Sequence, residues 1–259
     1  MDKNNYLSRG EQGLWRFIED KGIVDTELVR AIFPDMADNK RNKLLHSLCT
    51  KGYLKRSRKG LYYNPNKIES FYELALRISE GYIGLSSALR FHRLLDYEDF
   101  TIFVMTQSFQ KKFDLKGTQY TAEFIPLHNL FTGYEKHERM YVSSVEKTLF
   151  DCLLKPGYVG YANITKAFYS ADIDWLKFID FFKLTENRIL HQRTGYILEL
   201  TKKYTKKNIP NFAFGYLLKK VDKPAKLAAV RAKSVFNSKW KIQDNLGEKN
   251  ILSWWYDGS

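Results

Sequence analysis

Between Met36 and Ile68 the chain carries nine Lys or Arg side chains and one carboxylate, Asp38. Like charges repel, and a charged side chain gains nothing from burial without a partner. A solvated helix ordinarily mixes the signs, because opposite charges four residues apart attract. A segment that does not mix them is either a plain solvated loop or a surface that meets something negative. The density peaks at Lys55, Arg56, Arg58 and Lys59, and a turn glycine, Gly60, leads from there into the apolar-aromatic run Leu61-Tyr62-Tyr63. The flanking residues decide between the two readings.

Leu14, Phe17 and Ile18 share one face of a helix expected over residues 9–20, closed by Lys21-Gly22. Ile23-Val24 reads as a very short strand. Asp25 is a good N-cap for a second helix, with Leu28, Val29, Ile32 and Phe33 apolar, and Pro34 stops it. Asp38 is expected to cap a third helix ending near Thr50. Tyr53-Leu54 then begin a strand, KRSRKG forms a loop, and LYYN returns. Helix, helix, helix, strand, loop, strand is the order of a winged helix-turn-helix, which reads DNA by laying its third helix in the major groove. With Leu45 at the centre of that helix's buried face, Leu48 and Cys49 fall beside it, and Asn39, Lys40, Lys43, His46, Ser47 and Thr50 fall on the opposite half. Residues 1–68 are therefore expected to form a DNA-binding domain. Asn39, Lys40, Lys43, His46 and Ser47 are its candidate base contacts. Lys55, Arg56, Arg58 and Lys59 would grip phosphates. Tyr62, on the opposite side of its strand from Leu61 and Tyr63, completes the contact set.

Residues 69–259 read as a second domain of mixed strands and helices, which makes the fold class α+β. Helices are expected over 70–80, 144–154, 161–170, 174–183 and 186–204. Strands are expected over 101–106, 120–127 and near Tyr141-Val142, with a polar, lysine-bearing turn between the first two. The net charge of +13 lies at the two ends of the chain: +5 in residues 1–70, −1 in 71–200, +10 in 201–250 and −1 in the last nine residues. The C-terminal excess begins with Lys202-Lys203, Lys206-Lys207 and Lys219-Lys220 and continues through Lys223, Lys226, Arg231 and Lys233, with Tyr204, Phe212, Phe214, Tyr216, Phe236 and Trp240 interleaved. Three roles stay open for it: an extension of the DNA contact, a surface for an acidic protein or an RNA, or a solvated face. Cys49 and Cys152 form no CxxC, so neither a zinc ribbon nor a disulfide framework is implied, and a reducing cytosol fits. The chain opens without a signal-like apolar run, and no stretch has the apolar length of a membrane span. A cytoplasmic protein without a membrane partner is expected.

Little in the sequence points to catalysis. Lys147 and Asp151 stand four apart on one helix and are expected to pair on its surface, with Val145, Leu149 and Cys152 inward. The nearest match to a metal-dependent nuclease is Asp114-Leu115-Lys116, in an expected turn and without an upstream carboxylate partner. The five histidines, at 46, 92, 128, 137 and 191, show no ligand spacing, and GLSSA at 84–88 lacks the second glycine of a nucleophile elbow. There is no Walker A and no GxGxxG, so no cofactor is expected. Arg193 and Glu199, within HQRTGYILEL, are expected to serve packing, with Gly195 permitting a close helix crossing. Trp254-Trp255-Tyr256 are expected to pack down, because exposed they would be adhesive.

RSRKGLYYN, YIGLSSALRFHRLL, VSSVEKTLFDCL and HQRTGYILEL occur in one order along residues 9 to 220. Together they resemble the AbiEi-type antitoxins of type IV toxin–antitoxin (abortive infection) systems and related stand-alone transcriptional regulators. The resemblance implies an N-terminal winged helix that binds operator DNA, often inverted repeats, and represses its own operon. It also implies a C-terminal domain that counteracts a nucleotidyltransferase-like toxin. It carries the DNA-binding role onto the third helix and onto Lys55, Arg56, Arg58 and Lys59. A non-enzymatic regulator is thus expected, with a Mg-dependent nuclease, or an antitoxin acting mainly through protein or RNA binding, as the alternatives.

Overall fold

Ser8 and Glu11 open the first helix with reciprocal bonds: the Ser8 hydroxyl accepts from the Glu11 amide, and the Glu11 carboxylate accepts from the Ser8 amide at 2.5 Å. This helix, α1, spans Arg9–Ile18. It is the first element of a computed structural model that describes residues 6–97, 99–108 and 110–256. The fold is mixed α+β and falls into two compact units, Met1–Gly81 with Phe100–Ile125, and Tyr82–Asp99 with Pro126–Ser259. The first unit thus takes in more chain than residues 1–68. The chain ends, 1–5 and 257–259, lie outside the described residues.

In the first unit β1 (Ile23–Asp25) leads into α2 (Thr26–Ile32), whose amide at Leu28 is capped by Asp25 at 2.7 Å as expected. Next come α3 (Asp38–Thr50), β2 (Lys55–Arg58) and β3 (Leu61–Tyr63). The three strands form an antiparallel sheet in the order β1-β3-β2. Leu14, Ile18, Val29, Leu45, Leu48, Leu54 and Tyr62 close a core between the sheet and the three helices. After α4 (Phe71–Leu76) the chain enters the second unit for β4 (Tyr82–Ile83) and α5 (Leu85–Phe91). It returns for β5 (Thr101–Thr106), β6 (Lys111–Asp114) and β7 (Thr121–Pro126), ordered β6-β7-β5. Lys111–Asp114 is a strand where the sequence suggested a polar turn. Its exposed cations pair across to β7, Lys112 opposite Glu123, so cross-strand pairing decides where propensity does not.

The second unit continues with β8 (Tyr134–His137) and β9 (Met140–Ser143), an antiparallel pair in which β9 also lies parallel to β4. β8 falls in GYEKHERM, whose charges suggest a solvated loop; Tyr134, Glu135 and Lys136 are indeed exposed, and pairing with β9 makes the segment a strand. The helices α6 (Val145–Leu154), α7 (Tyr161–Ser170), α8 (Trp175–Lys183) and α9 (Arg188–Thr205) pack behind them. At the centre of α6 the expected pair forms, but buried rather than on the surface. Lys147 and Asp151 are both wholly enclosed, and Tyr82 donates to Asp151 at 2.9 Å while accepting from Lys147 at 2.9 Å. Burial pushes the Asp151 carboxyl up and the Lys147 ammonium down from their ordinary values. Each also stabilises the charge of the other, so removing one strands its partner.

α10 (Asn211–Leu218) precedes a small sheet of β10 (Ala225–Lys226), β11 (Val235–Asn237) and β12 (Ile242–Asp244), ordered β10-β12-β11. The chain ends in α11 (Glu248–Ile251) and α12 (Ser253–Tyr256). Trp254 and Trp255 pack against Tyr169, and the Trp254 indole donates to Thr165 at 2.8 Å, as the sequence suggested, whereas Tyr256 stays exposed beside Tyr204. Gly195 does permit a close approach, though of an indole and not of a second helix. A Cβ there would lie 2.0 Å from the Trp240 ring. Around that contact, α9 holds the small sheet through Gln192 to the Lys223 carbonyl at 2.7 Å, Arg193 to the Lys226 carbonyl at 2.9 Å and Tyr196 to Asp244 at 2.8 Å. Glu199 accepts from the Trp240 indole and pairs with Lys239. The packing role of Arg193 and Glu199 is this anchoring.

Candidate nucleic-acid interface

α3 starts without a side-chain cap, because Ala37 occupies the N-cap position. Asp38 sits one residue further on and does something else. It pairs with Arg41 on its own helix and with Arg30 of α2 at 3.4 Å. The Arg41 guanidinium, with Arg30 behind it, holds the Asp38 carboxyl below its usual range. Arg41 also donates to the Phe33 carbonyl at 2.9 Å, satisfying the C-terminus of α2. The sole carboxylate of the basic stretch therefore fixes the angle between α2 and α3.

The opposite end of α3 is fixed by Glu11. Its carboxylate is buried at 4% exposure and accepts from Lys51 at 2.6 Å and from the Ser47 hydroxyl. Lys51 first, then Ser47, lowers its pKa to about 2. Ser47, a candidate base contact by helical position, is thereby turned toward α1. Its place on the wheel is correct, but the capping carboxylate competes for the hydroxyl and takes it.

Asn39, Lys40, Lys43 and His46 are exposed on the outer face of α3 as expected. Asn42 joins them. Across from this face stands the β2-β3 hairpin, whose two-residue tip is Lys59-Gly60, with Gly60 at φ +80°. Lys55–Arg58 form a strand and not the expected loop, so their side chains are dealt to different sides. Lys55 donates to the Gly117 carbonyl at 2.8 Å, and Tyr63 beside it donates to the Lys116 carbonyl at 2.9 Å. These contacts pin the root of the hairpin to the β6-β7 turn, where a Cβ on Gly117 would lie 2.7 Å from the Lys55 chain. Arg58 leans onto the Arg77 carbonyl at 3.4 Å. A bulge at Ser57 separates Arg58 from Arg56. Arg56 and Lys59 face the α3 side.

Between α2, α3 and the hairpin lies a cleft of about 560 Å³, lined by Thr26, Arg30, Asp38, Arg41, Asn42, His46, Cys49, Arg56, Lys59, Gly60 and Tyr62. The Thr26 amide ties the hairpin tip to α2 by donating to the Gly60 carbonyl at 3.0 Å. Four cations face one carboxylate in this cleft. Tyr62 forms a buried wall of it, 5% exposed and part of the core, so it shapes the cleft more than it reaches out of it. Burial pushes the Cys49 thiol up to about 11, leaving it protonated and neutral. Arg30 and Asn42 were not singled out by the sequence. Asn42 stands four residues before His46, a spacing that shares a face, whereas Arg30 reaches the cleft only through its pair with Asp38.

The C-terminal lysines behave differently. Lys202 donates to the Ile209 carbonyl at 2.9 Å and Lys203 pairs with Glu248 at 3.3 Å. Lys206 leans on the Lys203 carbonyl, and Lys207 donates to the Tyr169 and Ala171 carbonyls at 2.9 and 2.6 Å. Lys220 pairs with Glu186. Among the described residues, Lys219 alone of these six has no such partner.

The nuclease candidate Asp114 lies in β6 and accepts from Thr121 at 3.2 Å. No three His, Cys, Asp or Glu side chains among the described residues gather as a metal site would require. Among the same residues no helix is long and apolar enough to cross a membrane. No family model matches the chain, and no curated protein matches it. The fold is similar to that of the RV2827C protein from Mycobacterium tuberculosis, a crystal structure aligned at a TM-score of 0.67 over 97% of this chain and 94% of that one, with 17% of residues identical.

Proposed function

We propose that the first unit is a winged helix-turn-helix that binds duplex DNA, with α3 in the major groove and the β2-β3 hairpin as the wing. The observation that carries this reading is the cleft and the helix face beside it. Arg30, Arg41, Arg56 and Lys59 face Asp38 alone, and Lys40 and Lys43 stand on the adjacent surface of α3 with no partner among the described residues. Asn39, Asn42, Lys43 and His46 offer the donors and acceptors that major-groove edges read, and Arg56 and Lys59 reach for phosphates. In this proposal the chain is a cytoplasmic transcriptional regulator, an autorepressing antitoxin of the AbiEi type, with operators that are inverted repeats holding two copies side by side. Its second unit counteracts a nucleotidyltransferase-like toxin, a role that rests on the sequence resemblance.

A gel-shift titration of the full chain on its own upstream DNA tests the DNA-binding claim. With about five phosphates neutralised, log K falls against log salt with a slope near −4 to −5. Arg56→Ala with Lys59→Ala weakens binding on every sequence, whereas Asn42→Ala or Lys43→Ala changes the ranking among sequences. A salt response that stays flat, or binding indifferent to both classes of variant, contradicts the reading. Rescue from a nucleotidyltransferase-like toxin encoded beside this chain, by a full-length variant that no longer binds DNA, tests the antitoxin role separately.

A further inference from the structure

The small C-terminal sheet carries a second cation cluster, and its cations are free. In β10-β12-β11, Lys226 lies opposite Gln243 and Gln243 opposite Phe236. Directly paired residues project from the same face of a sheet, so a lysine, an amide and an aromatic ring stand in a row. The connection between β10 and β11 borders that row, and together they line an open cup of about 440 Å³, with Lys226, Arg231, Lys233, Ser234, Gln243 and neighbours. Asn245 holds the connection in place, donating to the Ala228 and Val230 carbonyls at 2.8 Å each and accepting from the Ala228 amide at 3.0 Å. The Lys226, Arg231 and Lys233 side chains have no hydrogen bond or ion pair among the described residues, unlike the lysines of α9. Phe236 is 52% exposed at the end of the row.

We propose that this face binds a single strand of nucleic acid, with a phosphate in the Lys226–Arg231–Lys233 cup and a base stacked on Phe236 beside the Gln243 amide. Three unpaired cations select a polyanion. The exposed ring on the same face selects one whose repeat unit also carries a flat π-surface, which nucleic acid has and an acidic polypeptide does not. The anchoring of the sheet on α9 through Gln192, Arg193, Tyr196 and Glu199 holds the row rigid before any ligand arrives.

The test uses the full chain carrying Arg56→Ala and Lys59→Ala, which weakens the first unit's interface, and the Phe236 variants separate the two, because Phe236 lies outside that interface. A fluorescein-labelled single-stranded oligonucleotide of about ten nucleotides, close to the footprint of a small stacking platform, is followed by anisotropy. Saturable binding is expected. Phe236→Ala weakens it about tenfold and Phe236→Trp restores it, because only a ring can stack on a base. Lys226→Ala with Arg231→Ala and Lys233→Ala weakens binding of both the oligonucleotide and inorganic polyphosphate, while Phe236→Ala leaves polyphosphate binding unchanged. These side chains are solvent-exposed, and unchanged melting temperatures confirm that each variant is folded. The proposal is overturned if no saturable binding occurs, if Phe236→Ala has no effect on the oligonucleotide, or if polyglutamate binds as tightly with the same losses. The last result identifies an acidic-protein surface.

Discussion

The two basic ends of the chain look alike in sequence and differ in what their charges do. Across α3 and the hairpin tip, Lys40, Lys43, Arg56 and Lys59 are exposed, and the local carboxylate, Asp38, serves the angle between two helices. Along residues 202–220 the lysines close helix ends and pair with Glu186 and Glu248. Five of those six are engaged by the chain's own carbonyls and carboxylates. Among the described residues, the C-terminal cations that share one face without a partner lie downstream, at Lys226, Arg231 and Lys233. Net charge over a window thus overstates the electrostatic surface wherever helix C-termini supply acceptors, because a lysine in the last turn stabilises the helix that carries it.

The sharpest contrast is a cation wholly engaged by its own fold. Lys147→Met leaves Asp151 buried without its counter-ion and is expected to destabilise the chain by about 3–5 kcal/mol, with duplex affinity of the folded fraction unchanged. Thermal melting beside a gel shift reads both quantities, and a melting temperature equal to the parent's would show that the buried pair is dispensable. Next in size is Arg56→Ala with Lys59→Ala. It is expected to lower duplex affinity about ten- to a hundredfold at low salt without moving the melting temperature, and the salt slope should shrink by about 2. Lys207→Ala should do the reverse. Freeing the Tyr169 and Ala171 carbonyls destabilises by about 1–2 kcal/mol, while DNA affinity stays as it was.

An effect of the same size concerns acid. Glu11 is held at about 2, below its ordinary value, so its contribution to stability is fully present above the unfolded carboxylate pKa of about 4.3 and is lost as pH falls toward 2. Glu11→Gln should cost about 1–2 kcal/mol at pH 7 and flatten that part of the acid-unfolding curve. Equal acid sensitivity in both proteins would place the effect elsewhere.

What was legible in the sequence is what an element's own residues set; what was hidden depends on a partner element. α2, α3 and α7, and the strands β5 and β7, fall within a residue or so of the expected spans, because apolar periodicity and local caps such as Asp25 set them. β6, β8 and the C-terminal strands were hidden. They are short, and each exists because a neighbouring strand across a turn pairs with it, a pairing that the residues of one strand alone do not announce. The same rule sorts the site. Asn39, Lys40, Lys43 and His46 follow from the wheel, while the Ser47 hydroxyl is taken by Glu11 of another helix, and Asp38, one residue past the N-cap, pairs with Arg41 and Arg30 instead of capping α3. The hairpin charges were grouped in a loop that is a strand, so Lys55 and Arg58 turn to the Gly117 and Arg77 carbonyls and leave Arg56 and Lys59 on the cleft.

Two charge-matched variants test the central claim most directly: Arg56→Ala with Lys59→Ala, and Lys203→Ala with Lys220→Ala, each two positive charges poorer than the parent. Their duplex affinities are measured across a salt series. The first pair should lose affinity and reduce the magnitude of the log K against log salt slope by about 2, and the second should match the parent. Equal losses in both would mean that net charge alone holds the DNA, and would contradict the assignment of binding to α3 and the hairpin.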